Sequence, residues 1–345
     1  MRKKLRRNEV KMKVAGLIAE YNPFHNGHQY HIDQIKKITG ADYCIAVMSG
    51  DFVQRGAPAI IDKYCRTEMA LRAGIDLIIE LPVCYATASA EYFALGAVSI
   101  MDKLGIVDTL CFGSECGDIV KIRKIAQILC EEPDTFKSKL LSFQKGGLNY
   151  PTARIKALED YLSCNNTLDG RSLSNVLNAP NNILGIEYVK AIYRFSSSIT
   201  PVTIQRNTAG YHEQKLSKLQ HPDNVFFLDS EEKNSRHFPN VISSATAIRN
   251  VIRKAYSIDD ISLIADSLPE YVFNYLYKNY NKTYPITEDD FASIIKYKLL
   301  SETSSQLTHY LDITVDLARR MKNLSACNSN IEQLSKNLKT KNITL

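Results

Sequence analysis

Four short apolar runs, each passing through a polar turn into a stretch of helical periodicity, confine the first third of this chain to few folds. The runs are Val14 to Ala19, Asp42 to Met48, Asp76 to Leu81 and Val107 to Phe112. Continuous apolar runs this short suit strands covered on both faces. Helical spacing follows from about Asn26, from Ala59 to Ala73 and from Ala86 to Leu104, and Gly74 stands where a helix would close in the left-handed conformation. Alternating strands and helices predict an α/β, Rossmann-like domain with a parallel sheet and right-handed crossovers. Residues 118–200 are predicted mostly helical, with a turn at Ala179-Pro180-Asn181-Asn182 opening a helix from Ile183. Val202 to Arg206 suits a fifth strand. After a polar stretch to about Asn240, Ser243-Ser244 lead into a further helix, and 255–345 carry helical patterns only. The expected organisation is a basic flexible arm over 1–13, an α/β domain over 14–255 with a helical insertion at about 118–200, and a mainly α-helical C-terminal region over 256–345.

In open parallel sheets ligands bind beyond the carboxyl ends of the strands. The polar turns at 21–28, 49–56 and 113–115 all fall there. The first is the most specific, because His25-Asn26-Gly27-His28 forms an H-x-G-H tetrad between the first strand and the first helix. A helix N-terminus offers backbone N–H groups and a partial positive charge to an anion. Gly27 removes a Cβ where a base or phosphate must approach, and the imidazoles of His25 and His28 share one helix face. They can donate hydrogen bonds as negative charge builds on a phosphate chain, which suits ATP at its α-phosphate. Far downstream, Ser243, Ser244, Thr246 and Arg249 form a second anion-ready helix start, now with a cation. Blander readings exist for several residues. Asn181 or Asn182 would serve as a helix cap, Arg206 as a surface charge, His31 as a helix-face residue and His212 as part of a loop.

Charge adds little. Lys and Arg number 43 against 37 Asp and Glu, a net of +6, and residues 1–13 alone hold seven basic residues and one Glu. The rest is therefore neutral, and bulk charge is no argument for nucleic-acid binding. The arm reads as a tail or as a weak polyanion contact. No run approaches the ~20 apolar residues of a membrane helix. The apolar run after the arm is too short for a secretion signal, so no membrane partner and a cytoplasmic location are expected. The eight Cys show neither C-x-x-C nor zinc spacing and are expected as reduced thiols, with no metal site.

Six ordered segments carry a closer likeness: AEYNPFHNGH, VMSGDFVQRGAPAIIDK, GIDLIIELP, FGSE, PNNILGIEY and ISSATAIR. Together they resemble the tRNA(Met) cytidine acetate ligase family of the nucleotidylyltransferase superfamily, from about Val14 to Asn250. The resemblance implies a two-step ligase. Acetate attacks the α-phosphate of ATP to give acetyl-adenylate and pyrophosphate. The N4 amine of the wobble cytidine of elongator tRNA(Met) then takes the acetyl group, giving N4-acetylcytidine and AMP. It also implies site residues. The ATP-binding turn would run through Ile18, Ala19, Glu20, Tyr21, Asn22, Pro23, Phe24, His25, Asn26, Gly27, His28, Gln29, Tyr30 and His31. His25, His28 and Arg249 would be catalytic. Gly113, Asn181 or Asn182, Arg206, Ser243, Ser244 and Thr246 would complete the ATP site. Ser49, Gln54 and Arg55 would border acetate or the incoming cytidine. Mg²⁺ would be held through the ATP phosphates rather than by protein ligands. No DNA partner is implied.

The family continues past a basic, Arg- and Tyr-rich segment, whereas this chain reads Lys339-Thr340-Lys341 and ends at Leu345. The expectation is a shortened C-terminal domain that keeps acetate activation and docks tRNA less well or by other means. Two rival functions share parts of the pattern: a small-molecule adenylyltransferase acting on a phosphomonoester, and a non-catalytic RNA-binding relative.

Overall fold

The computed structural model describes residues 12–164, 173–206, 243–325 and 330–338. Most of the N-terminal arm, the segment holding His212, and Lys339 to Lys341 lie outside the described residues. Strand β1 (Val14–Ala19) leads into α1 (Asn26–Thr39), β2 (Tyr43–Ser49) into α2 (Lys63–Arg72), and β3 (Leu77–Leu81) into α3 (Val83–Ala86) and α4 (Ala90–Leu104). Strand β4 (Thr109–Ser114) is followed by α5 (Ile119–Glu131), α6 (Asp134–Lys145), α7 (Tyr150–Cys164), α8 (Leu173–Asn178) and α9 (Pro180–Arg194), and then by β5 (Thr200–Gln205). The remaining helices are α10 (Ala245–Lys254), α11 (Ile258–Ile261), α12 (Glu270–Asn279), α13 (Ala292–Ser301), α14 (Ser304–Leu307), α15 (Val315–Ser325) and α16 (Ile331–Leu338).

The five strands form one parallel sheet in the order β3-β2-β1-β4-β5. The order reverses at β1, so the crevice of a doubly wound sheet opens between the carboxyl ends of β1 and β4. Alternate residues of β1 serve opposite layers. Val14 and Ile18 join a core built with α4 to α9, while Ala15, Leu17 and Ala19 join one built with α1, α2, α10 and α12. This second core continues through Ile261, Ile264, Val272 and Leu276 to Tyr284. A separate cluster around Leu299, Leu307, Leu317 and Leu334 unites the last helices. No helix among the described residues is long and apolar enough to cross a membrane.

Where local pattern and structure differ, the loops explain the difference. The helix expected from Ala59 begins at Lys63. Residues 59–61 instead form a non-helical bend, with Ile60 and Ile61 fully buried, and the Asn22 side chain accepts the Ile60 N–H at 2.8 Å. Asp62 then caps α2 by accepting the Cys65 N–H at 3.0 Å. The helix expected from Ala86 to Leu104 is broken at Thr87 to Ser89, and α9 starts earlier than expected, with Pro180 in its first turn.

Arg66 on α2 is 0% exposed. It donates to the carbonyls of Ile61 at 3.0 Å, Glu20 at 2.6 Å and Ser49 at 3.1 Å, and to that of Gly50. One guanidinium thus ties the carboxyl ends of β1 and β2 to the helix between β2 and β3. A buried cation is tolerated only with its donors satisfied, and here backbone carbonyls satisfy them. Arg66→Met leaves those carbonyls without donors and is expected to lower the unfolding free energy by about 3 kcal/mol in urea titrations. Arg66→Lys should recover only part of it.

Candidate functional site

A cleft of about 1320 Å³ opens at the carboxyl ends of the strands. Its wall combines the β1–α1 turn, the turn after β2, residues 87–90, Gly113, the start of α9, Arg206 and one face of α10. The three turns singled out from the sequence therefore do converge.

The β1–α1 turn is set by local chemistry. Tyr21 adopts a left-handed conformation (φ 49°) and the Asn22–Pro23 bond is cis. His25 is the N-cap of α1: its Nδ1 accepts the Gly27 N–H at 3.0 Å, while the His25 N–H donates to Nδ1 of His28 at 3.3 Å. The His28 N–H turns back to the His25 carbonyl at 2.8 Å. The first helical turn is thus largely self-capped, and the amides of Gly27 and His28 are not open to an anion as the sequence suggested. The two rings stack at 3.7 Å between centroids, and Tyr21 meets His28 edge-on at 4.9 Å. With both Nδ1 atoms accepting, each neutral ring carries its proton on Nε2. Burial pushes His25 down to about 3, helped by Arg206 and Arg249, and pushes His28 well below the ordinary histidine value. His31, one turn further along α1, is held down at about 4 by burial and Arg206, and its buried Nε2 has no hydrogen-bond partner among the described residues.

Of the segment from Ile18 to His31, the cleft takes Ile18, Ala19, Glu20, Tyr21, Asn22, Gly27, His28, Tyr30 and His31. The others face elsewhere. Phe24 is core, His25 is 2% exposed beneath its cap, and Asn26 donates to the Asp266 carbonyl at 2.8 Å. Gln29 bonds Asp33 and the Ala73 carbonyl, and Pro23 is buried in the turn.

On the opposite wall, Glu115 accepts the backbone N–H groups of Asn181 at 3.3 Å and Asn182 at 2.9 Å, capping α9 with a carboxylate. The Asn181 side chain bridges Glu115 at 2.7 Å and the Arg206 guanidinium at 3.2 Å, and lines the cleft. Asn182 is 1% exposed and accepts the Cys116 N–H at 3.1 Å, so it braces the turn after β4. The structure thus separates two residues that spacing could not. Arg206 is burdened by burial and relieved by Glu115, and its Cγ lies 3.1 Å from where a Cβ of Gly113 would sit. The bare face of Gly113 therefore accommodates Arg206.

On α10, Arg249 donates to the Asn22 carbonyl at 2.7 Å and to Thr246 Oγ1 at 3.0 Å, which aims it across the cleft. Ser244 caps the helix through the Ala247 N–H at 3.1 Å, and Ser243 accepts from Ser267 at 2.9 Å. Thr246, Ser244 and Ser243 thus build this wall, while Ala245, Arg249 and Arg253 face the cleft. Beyond β2, Gln54 and Arg55 line the cleft, but Ser49 is fully buried and gives its carbonyl to Arg66. The far rim is Glu288, paired with Arg253 at 3.1 Å, together with Leu311 and Asp312. No cluster of three or more metal-ligating side chains occurs among the described residues.

Three contributors escaped sequence reasoning. Arg66 stands in a helical pattern with an apolar face, where a lone cation signals a buried anchor. Glu115 is the last residue of the FGSE segment, a carboxylate three residues beyond a strand run. Tyr188, 5% exposed on α9, lines the cleft from a position that looks like ordinary core.

The chain matches the HIGH Nucleotidyl Transferase family over residues 12–221 and 229–345. It is 40% identical to a tRNA(Met) cytidine acetate ligase of Clostridium novyi (strain NT) over 330 residues, 96% of this chain and 75% of that protein. Against a tRNA(Met) cytidine acetate ligase of Clostridium perfringens (strain ATCC 13124) identity is 46% over 291 residues, 84% of this chain and 65% of that protein. The crystal structure of Thermotoga maritima TmcAL bound with alpha-thio ATP superposes with a TM-score of 0.81 at 33% identity, covering 96% of this chain and 72% of that one.

The buried histidines make stability pH-dependent in a stated direction. His25, His28 and His31 titrate lower in the folded chain than the ordinary value of 6.5. Between that value and about 4, the unfolded chain binds more protons, so stability falls as pH falls, by at most about 1.4 kcal/mol per pH unit for each group. Denaturant midpoints should be flat from pH 7 to 8 and decline from pH 6.5 to 4.5. His31→Gln should lower that slope by about one proton's worth.

Proposed function

Because the chain belongs to the HIGH nucleotidyl transferase family, and within it to the tRNA(Met) cytidine acetate ligases, we propose that its cleft activates acetate with ATP and acetylates the wobble cytidine of elongator tRNA(Met) at N4. In the first step an acetate oxygen bonds to the α-phosphorus and pyrophosphate leaves. In the second the cytidine N4 bonds to the acetyl carbon and AMP leaves. The setting is cytoplasmic.

The observation that carries this reading is the protonation geometry of the β1–α1 turn. With Nδ1 held by a backbone N–H, His28 presents a fixed Nε2–H donor without a charge to desolvate. Arg206 and Arg249, each oriented by bonds to neighbouring groups, supply the positive charge from the facing walls. Neutral donors and fixed cations aimed at one place stabilise charge that grows on the equatorial and leaving oxygens of a transferring phosphoryl group. His25 positions His28 through the cap and the stack. Mg²⁺ would enter as a partner of the ATP phosphates, an ion that commonly keeps phosphate and water ligands at nucleotide sites. Bound there it would neutralise the pyrophosphate charge. Asn181 is the asparagine we assign to ATP. We assign activation to the sheet unit, with its core extending to Tyr284, and RNA docking to the last helices.

Purified protein given ATP, Mg²⁺ and labelled acetate should catalyse acetate-dependent pyrophosphate exchange and label elongator tRNA(Met) but not initiator tRNA. His28→Ala should reduce exchange by about 10²-fold or more. Exchange that requires a phosphomonoester instead of acetate would favour a small-molecule adenylyltransferase. Asn181→Ala is expected to raise the KM for ATP about tenfold, the effect of one lost hydrogen bond to a charged group. Asn182→Ala should lower the melting temperature instead.

A further inference from the structure

The scheme above leaves unused a half-buried carboxylate of the cleft, that of Glu20. Glu20 closes β1, and its side chain lines the cleft. Its Oε1 accepts the Gln54 N–H at 2.8 Å, and no hydrogen bond from a described residue engages Oε2. The other carboxylates of the cleft wall are differently placed among the described residues: Glu288 is bound by Arg253, and Asp312 stands exposed on the rim. Glu20 lies between two functional regions. Two residues on, the Asn22 carbonyl anchors Arg249, on the phosphate side. Its own carboxylate is fastened to the Gln54–Arg55 turn, on the side facing the C-terminal rim.

The groups that face it come from every neighbouring element. Arg66 of α2 grips its carbonyl, Arg249 reaches across from α10, Arg55 stands on the turn after β2, and Tyr188 faces it from α9. Burial raises its proton affinity, and the Gln54 N–H and the three arginines pull it partly back. Buried carboxylates tuned upward in this way are suited to receive a proton near neutral pH.

The acceptor chemistry calls for such a group. The N4 amine of cytosine is a hydrogen-bond donor read by Asp or Glu, and its lone pair is delocalised into the ring, which makes it a weak nucleophile until it sheds a proton. Resting on the ligase reading, we infer that Glu20 is the general base of the acetyl-transfer step: its unengaged oxygen accepts a hydrogen bond from the cytidine N4–H and takes that proton as nitrogen bonds to the acetyl carbon. The C–N bond forms and the acetyl C–O bond to phosphate breaks. AMP leaves with the electron pair, and the proton passes from Glu20 to solvent. Glu20 is thereby a catalytic residue of the second step, distinct from the phosphate-facing His28 and Arg249.

The test supplies synthetic acetyl-adenylate and elongator tRNA(Met) to the full chain and follows single-turnover transfer from pH 5.5 to 8.5. The wild-type rate should rise with pH through one ionisation. Glu20→Gln, which keeps the shape and can still accept from Gln54, should cut the transfer rate about 10²-fold and flatten the pH profile, with half-saturation for tRNA changed less than threefold. Glu20→Asp keeps the carboxylate, drawn back by one methylene, and should give an intermediate rate with the pH dependence retained. A full rate in Glu20→Gln, a loss confined to half-saturation, or a slowed rate with the wild-type pH profile would each overturn the assignment while leaving the ligase reading intact. A wild-type chain that transfers no acetyl from acetyl-adenylate to tRNA would overturn both.

Discussion

The cleft depends on a cation that never meets solvent. Strands of a parallel sheet end in carbonyls that point toward the ligand crevice, and two of them end here side by side. Arg66 gathers the carbonyls of Glu20, Ser49 and Gly50 with that of Ile61 on its own approach. It joins the β1–α1 turn to the turn after β2, and both bear residues of the cleft. The arrangement also frees the Glu20 side chain. Its backbone is held by Arg66, so its carboxylate can stand between Gln54 and the open cleft. Asn22 complements this anchor, tying the same turn to Ile60 through its side chain and to Arg249 through its carbonyl.

A second constraint is that the histidines are held neutral. Capping α1 with His25 replaces the usual Ser, Thr, Asp or Asn and uses one imidazole nitrogen of each ring for the backbone. The helix end is therefore less an anion site in itself than a mount for a stacked pair of rings. Charge is supplied from elsewhere, by arginines whose geometry depends on other residues. Asn181 and Glu115 fix Arg206; Asn22 and Thr246 fix Arg249. Fixed cations and neutral donors in a partly buried cleft need little reorganisation as charge develops on a substrate.

The far rim shows how the last helices meet the site. The Ile286 N–H donates to the Ile60 carbonyl at 3.0 Å, Phe291 meets Phe52 at 5.4 Å, and the Arg253–Glu288 pair spans the cleft edge. Asp289 then accepts the Ile331 N–H at 3.1 Å, linking this turn to α16. The helical cluster is thus joined to the segment that Asn22 clips, which links the rim to the β1–α1 turn through a series of hydrogen bonds from backbone N–H groups to side-chain and backbone oxygens.

Much of this was legible in the sequence, because it rests on local pattern. Apolar runs alternating with helical spacing determined the parallel sheet, the placing of polar turns at strand ends determined where the cleft would open, and H-x-G-H with the downstream Ser-Ser-Ala-Thr-x-Ile-Arg start marked two of its walls. What the sequence could not determine depends on which atoms meet across the fold. Asn181 and Asn182 are chemically identical neighbours, and only the packing of α9 against the β4 turn sends one into the cleft and the other into the brace. Ser243, Ser244 and Thr246 have the chemistry of phosphate ligands, yet hydrogen bonds to Ser267, Ala247 and Arg249 claim them. The buried anchor Arg66, the protonation pattern of the His25–His28 stack and the unengaged oxygen of Glu20 were decided by tertiary structure alone, because burial and competition for hydrogen-bond partners exist only once distant segments are brought together.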